Sequence, residues 1–239
     1  MMIRLHRSPS SSMARLIGQP DLCSVSNWTS RENQLHNRSS RATEQLVALC
    51  KWLEMRMTKL IAGTTISLDG FTADAKGSPA ALYADFAELQ QSEAMQHAYR
   101  TTGAVIMGRR SFDMAEDPDS YAEDYEFRTP LIIVTAKPPA KHPKEGNGVS
   151  IIFATSGVAD AVRQAKQAAG DRDVTCVGGG MLIQSLLRES LVDELQIDIA
   201  PVILGSGLRL FENVDQRKLK LTSATSLAGG RTSLVYEPL

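Results

Sequence analysis

The stretch Val177-Gly178-Gly179-Gly180-Met181-Leu182 narrows the folds open to this chain more than any other. It ends an apolar run, Asp173 to Val177, and opens another, Met181 to Leu187, that reads as a helix. A strand, a glycine turn and a helix start together form an anion site. First-turn N–H groups lack intrahelical partners, the helix dipole adds about half a positive charge, and glycine lets a phosphate approach the backbone. A tight strand-to-helix turn with no ligand is the plain alternative. The spacing is not Gly-x-Gly-x-x-Gly, and no acidic residue ends a second strand about 20 residues on. An ordinary Rossmann unit is therefore not the natural reading.

Elsewhere short apolar runs alternate with helical periodicities. Strands are expected at Lys59 to Ile66, Ala104 to Met107, Pro130 to Thr135, Val149 to Phe153 and Val174 to Val177. Another is expected at Glu194 to Ala200, where Leu195, Ile197 and Ile199 alternate with Gln196 and Asp198. One helix is expected from Asp85 to Thr101, closed by Gly103, and another from Met181 to Arg188. Between them, a helix capped by Ser156 carries Val158, Val162, Ala165 and Ala169 on one face and stops at Gly170. Leu219 to Ser226 and Thr232 to Glu237 read as a hairpin turning at Gly229-Gly230. Continuous apolar strands between helices imply an α/β fold: a mostly parallel sheet with helices on both faces and an antiparallel C-terminal edge.

Residues 1–56 differ from the rest. They hold nine serines, eight Lys or Arg and four Asp or Glu, a local charge of +4 against −5 for the remaining 183 residues. Ser8-Pro9-Ser10-Ser11-Ser12 and Ser39-Ser40 read as loop or disorder, with one short helix at Arg41 to Arg56. The stretch reads either as a transit peptide or, preferably, as an extension ahead of a domain spanning residues 57–239. A net charge of −1 gives no electrostatic case for nucleic acid, and no apolar run reaches the length of a membrane span. Cys23, Cys50 and Cys176 show no paired spacing, which suits a reducing, cytoplasmic setting. His6, His36, His97 and His142 form no ligand-spaced cluster, so no metal is expected.

A second anion station is read at Met107-Gly108-Arg109-Arg110-Ser111-Phe112, where a buried strand delivers a glycine, two arginines and a hydroxyl to a helix start. Arginine forks bind phosphate in a bidentate manner. Strand C-termini of an open α/β sheet share one edge, so two such stations suit a dinucleotide, and paired arginines suit an extra phosphate, as on NADP. Tyr83, Tyr121, Tyr125 and Phe127 lie between these motifs and are read mostly as packing or surface residues.

The order of motifs is Ile66-Ser67-Leu68-Asp69-Gly70-Phe71, Val105 to Phe112, the triple glycine, Leu191 to Leu195, and Pro201-Val202-Ile203-Leu204-Gly205-Ser206-Gly207. It resembles the dihydrofolate reductase superfamily, most closely the branch containing the C-terminal reductase domain of the bifunctional riboflavin deaminase-reductase. The resemblance implies a sheet of about eight strands and an NADPH-dependent reductase acting on a small heterocyclic or carbonyl substrate. A 5-amino-6-(5-phosphoribosylamino)uracil reductase of riboflavin biosynthesis is one such enzyme. It implies that Gly108, Arg109, Arg110 and Ser111 hold the adenosine-side phosphates and that Thr135 flanks the adenine ribose. Gly178, Gly179 and Gly180, with a cis Gly–Gly peptide, would cradle the pyrophosphate beside Met181 and Leu182. Asp69, the candidate catalytic residue, and Gly70 would border nicotinamide and substrate, and a homodimer is expected.

Two departures stand out. Val177 lies where riboflavin-pathway reductases carry a glutamate, and none of Asp85, Glu88 or Glu93 matches the pterin-binding acid of dihydrofolate reductases. No deaminase zinc motif is present. A non-catalytic NADP-binding regulatory protein of the same fold is the alternative.

Overall fold

Branched apolar runs too short to make stable helices pair laterally, and here they build one sheet. The computed structural model describes residues 58–212 and 214–239. The extension of residues 1–56, its helix at Arg41 to Arg56 and the boundary at Met57 lie outside the described residues. The strands are β1 (Leu60–Ser67), β2 (Phe71–Ala73), β3 (Thr102–Gly108), β4 (Leu131–Val134), β5 (Ile151–Ala154), β6 (Asp173–Val177), β7 (Glu194–Ala200), β8 (Leu208–Arg209), β9 (Leu219–Ser226) and β10 (Thr232–Pro238). Eight of them form a sheet in the order β5-β4-β3-β6-β1-β7-β10-β9, and β2 pairs with β8 separately. Pairing is parallel from β5 through β7; β10 is antiparallel to both β7 and β9. This is the fold expected from the sequence, with the terminal hairpin turning through Ala228–Gly230.

Helices α1 (Phe86–Gln91), α2 (Glu93–Thr101), α3 (Arg109–Phe112), α4 (Tyr121–Asp124), α5 (Val158–Ala169) and α6 (Gly180–Arg188) connect the strands. The two faces of the sheet carry separate cores, because side chains alternate along each strand. Ala104, Ile106 and Ile132 face α5 and α6, where Ala161, Ala165, Ile183 and Leu186 are fully buried. Val105, Met107, Leu131 and Ile133 face Phe112 of α3 and Tyr121 of α4. The alanines of α5 let it lie close to the sheet: a Cβ on Gly103 would stand 2.8 Å from Ala169 Cα. That contact explains Gly103, which lies inside β3 at a register shift and does not close the preceding helix.

Other local expectations shift. The helix expected from Asp85 to Thr101 breaks at Ser92, whose extended backbone (ψ 148°) ends α1 and whose Oγ accepts the Met95 N–H of α2 at 3.3 Å. Helix α5 is capped by Gly157 at φ 95°, not by the Ser156 side chain. The β2–β8 ladder, made of three- and two-residue strands, has no periodicity to read. Among the described residues no helix is long and apolar enough to cross a membrane.

One buried ion pair fastens the segment before α1 to the start of β10. Arg231 is 2% exposed; its Nε donates to Asp85 Oδ2 at 2.7 Å, and its Nη2 donates to Asp85 Oδ1 and to the Leu82 carbonyl. These bonds hold the Asp85 carboxyl below the usual carboxylate range. Its stabilising effect is therefore complete above an unfolded value of about 3.9 and is lost as pH falls through the lower folded value. Removing one partner strands the other charge in the interior. Asp85→Ala should cost about 3 kcal/mol at neutral pH, read as a drop in urea midpoint, with a smaller loss at acid pH. Equal midpoints at neutral pH would show that the pair contributes nothing.

Candidate active site

Strands β3 and β6 are neighbours, with Ile106 opposite Cys176, so Gly108 and Val177 leave the sheet side by side. The two glycine turns read from the sequence therefore meet. Gly179 N–H donates to Ser111 Oγ at 3.1 Å, which ties the turn after β6 to the turn after β3. Gly178 makes the reversal at φ 125°, and a Cβ there would collide with Ser111 Oγ and stand 2.9 Å from its Cβ. Gly179, at φ −61°, has only Ser111 Oγ at 3.8 Å in the way. Gly180 opens α6, and a Cβ there would press on the Arg209 carbonyl at 3.2 Å. The cis Gly–Gly peptide does not occur: the described peptide bonds are trans, and Gly178 takes a positive φ. No side chain caps α6, and of its first turn Leu182 N–H donates to the Gly179 carbonyl at 3.1 Å. Met181 is exposed at this end while Leu182 packs in the core.

The arginine station is built from side chains, since α3 is a single turn with little dipole to offer. Arg109 Nε donates to both Asp113 oxygens at 2.7 and 2.8 Å, and its Nη1 donates to the Lys137 carbonyl at 2.7 Å. Thr135 Oγ1 donates to the same carbonyl at 3.0 Å and accepts the Lys137 N–H at 3.1 Å. Arg109 and Thr135 thus lie together, holding the turn after β4. Arg110 is exposed, with no ion pair among the described residues, and its guanidinium lies against Gly77.

The turn after β1 borders the same edge. Asp69 Oδ1 accepts Leu204 N–H at 3.1 Å and Oδ2 accepts Gly205 N–H at 2.7 Å. The Ser67 hydroxyl beside it, then these backbone donors, hold the Asp69 carboxyl at about 2. Gly70 takes φ 89°, and Phe71 N–H returns to Ser67 Oγ at 2.9 Å. Burial pushes the Cys176 thiol up to about 12, which makes it a core group and no nucleophile. Tyr121, Tyr125 and Phe127 pack in the second core, with the Tyr121 and Tyr125 rings edge to face at 5.0 Å between centroids.

Sequence reading missed two residues here. Arg209 is exposed and lies over the Phe71 ring at 4.5 Å, with its carbonyl against Gly180. Gln184 donates to the Arg209 and Leu210 carbonyls at 3.1 and 2.9 Å, fixing that strand across the start of α6. A lone Gln between Ile183 and Leu186 on an apolar helix face was the available signal. The cleft lined by Ser190, Gln216, Arg217, Lys218 and Leu239 opens at the opposite edge, where β7 begins, and takes no part in this arrangement. Among the described residues no group of His, Cys, Asp or Glu could hold a metal ion.

The geometry ranks the glycines. Gly178→Ala should lower stability by about 1–3 kcal/mol, because a positive φ and a collision with Ser111 coincide. Gly179→Ala should stay within about 1 kcal/mol. Melting curves of the two variants check this, and the reverse order would refute it.

The profile of the RibD C-terminal domain family matches residues 58–234. The Bacillus subtilis (strain 168) protein YyaP, itself uncharacterised, is 26% identical over 192 residues, covering 76% of this chain and 96% of YyaP. A putative riboflavin biosynthesis protein from Shewanella sp. PV-4 superposes with a TM-score of 0.61 at 21% identity, over 76% of this chain and 99% of its own. Enterococcus faecalis dihydrofolate reductase, solved with NADP(H) and RAB-propyl, superposes with a TM-score of 0.50 at 14% identity, over 75% of this chain and 96% of its own. Both solved structures share the fold, an eight-stranded dihydrofolate reductase-like sheet. With the profile covering most of its length, the chain belongs to the RibD C-terminal domain family.

Proposed function

We propose that this chain is an NADPH-dependent reductase that delivers a hydride to a small heterocyclic or carbonyl substrate. The observation that carries the reading is the Gly179 N–H bond to Ser111 Oγ, which merges two strand–glycine turns into one anion cradle. The cradle suits a dinucleotide: a Cβ on Gly178 would collide with Ser111 and part the two turns, and no side chain caps the start of α6, where a pyrophosphate would lie. Gly178, Gly179, Gly180 and Met181 would hold the pyrophosphate, with Ser111 between the stations. Gly108, Arg109, Arg110 and Thr135 would hold the adenosine end. When bound, NADPH supplies the hydride, and the protein supplies position and field.

The two arginines divide the work. Arg109 is already bonded to Asp113 and Lys137, so it shapes the adenosine end. Arg110 has no such partner among the described residues, and it is the cation open to a 2′-phosphate. On the other side, Asp69 is ionised throughout the neutral range and accepts two N–H groups, so it positions the Leu204–Gly205 turn and does not donate a proton. The proton then comes from water.

Two measurements test the reading. Arg110→Ala should weaken NADPH binding by about tenfold, the loss of one charge-assisted contact, and leave NADH binding unchanged. Equal losses, or no NADPH binding by the unaltered protein, would overturn the assignment. Binding without turnover across a substrate panel would instead mark a non-catalytic NADP-binding protein. For Asp69, the rate profile from about pH 5 to about pH 9 should show no step that Asp69→Asn removes, since the carboxylate clamp is lost only as pH falls toward its low folded value. A step that disappears in Asp69→Asn would restore Asp69 as a proton donor.

A further inference from the structure

Arg109 is bonded to Asp113 and Lys137, and Arg110 is open, but a third arginine borders the glycine turns. Arg209 is exposed, and among the described residues its guanidinium makes no hydrogen bond and no ion pair. Its contact is with an aromatic face: the central guanidinium carbon stands 4.5 Å from the centroid of the Phe71 ring. Asp69, two residues before Phe71, turns its two oxygens to the Leu204 and Gly205 N–H groups and forms no pair with it.

The backbone around Arg209 is held on every side. Arg209 stands opposite Phe71 in the β2–β8 ladder. Leu210 N–H donates to the Gly70 carbonyl at 3.1 Å, and Thr72 Oγ1 donates to the Leu208 carbonyl at 3.1 Å. Gln184 of α6 donates to the Arg209 carbonyl itself at 3.1 Å. These bonds set Arg209 between two parts of the site. One is the Asp69-Gly70 turn, which leads directly into Phe71. The other is the start of α6, where Gly180 lies against the Arg209 carbonyl.

Covering a ring asks for no charge. Phe71 is 5% exposed, and an aliphatic side chain at position 209 would shield it as well. A guanidinium stacked on a ring by its flat face keeps its N–H groups in plane, where the fork can take two oxygens of one anion. Stacking also restricts the side chain before a ligand arrives, so less freedom is lost on binding. We infer that Arg209 is an anion-receiving residue of this site, with Phe71 as its platform: its fork takes phosphoryl oxygens of a ligand lying between the start of α6 and the turn after β1. The inference rests on the NADPH-reductase reading, under which those oxygens belong to the cofactor's pyrophosphate or to a phosphorylated substrate. The 2′-phosphate falls to Arg110.

Arg209→Leu tests it, because the variant keeps an apolar cover over Phe71 and removes the fork. Its melting curve should match that of the unaltered chain. Both full-length proteins are titrated with NADPH and with NADH. Saturated with NADPH, they are then titrated with 5-amino-6-(5-phosphoribosylamino)uracil and with the same compound lacking its phosphate. If Arg209 holds the pyrophosphate, the variant binds both cofactors about tenfold more weakly, whereas Arg110→Ala affects NADPH alone. If it holds the substrate, cofactor affinities stay and the phosphorylated compound alone loses about tenfold. In either case the gap between variant and unaltered chain narrows as salt rises, since screening weakens attraction between solvent-facing charges. Unchanged affinities for every ligand the chain binds, a loss confined to NADPH, or equal losses for the two uracil compounds would overturn the inference and leave the reductase reading intact. Failure of the unaltered chain to bind NADPH would bring down that reading and this inference together.

Discussion

The working edge depends on the parallel pairing of β3 with β6 and on the hydrogen bond that this pairing permits between Gly179 N–H and Ser111 Oγ. Two strands about 4.8 Å apart deliver their exits almost on top of each other. The turns that follow interpenetrate only if one of them lacks a Cβ. Gly178 meets that need, and its positive φ aims Gly179 at the hydroxyl. From this contact the start of α6 is set, and with it Gly180, the crossing β8 strand and the Gln184 bonds that hold β8 down.

A second constraint comes from charge burial. Asp85 and Arg231 are far apart in sequence, yet the pair fixes the entry to α1 against the last hairpin. An arginine with this little exposure is tolerable only with its carboxylate in place, so the pair pins geometry more than it adds stability. The guanidinium that locks the fold is buried and paired, so it cannot also receive a ligand.

The parts legible in the sequence were those with a local cause. The branched runs at Leu131 to Val134 and Val174 to Val177 could be nothing but buried strands, and the glycine turns mark their own strand exits. What could not be read depends on contacts between distant segments. The break at Ser92 follows from a cap whose competing helix looked continuous. The β2–β8 ladder is held by Thr72 Oγ1 on the Leu208 carbonyl, 136 residues away. Asp69 looked like a turn former or a catalyst; that it clamps Leu204 and Gly205 could not be seen until those residues were brought back to it by β7. Arg109 and Arg110 read as an identical pair, and only the fold separates the bonded one from the open one.

On the proposed reading, this division explains why the fold carries the glycine cradle more faithfully than the loops beyond it. The cradle is made of backbone N–H groups and a missing Cβ, so most substitutions there strain Gly178 or break the Ser111 contact, and the sheet exits suffer with it. The far end is made of side chains on loops: Leu68 and Ile203 are exposed, and neither α1 nor α2 buries a residue fully. Residues there can change charge or bulk at little cost to stability. The apolar Val177 lies next to the cradle and packs against the second core cluster, so it supports the turn from the core side. On the proposed reductase reading, the shared fold fixes the cradle, and the loops of each chain decide what is reduced beside it.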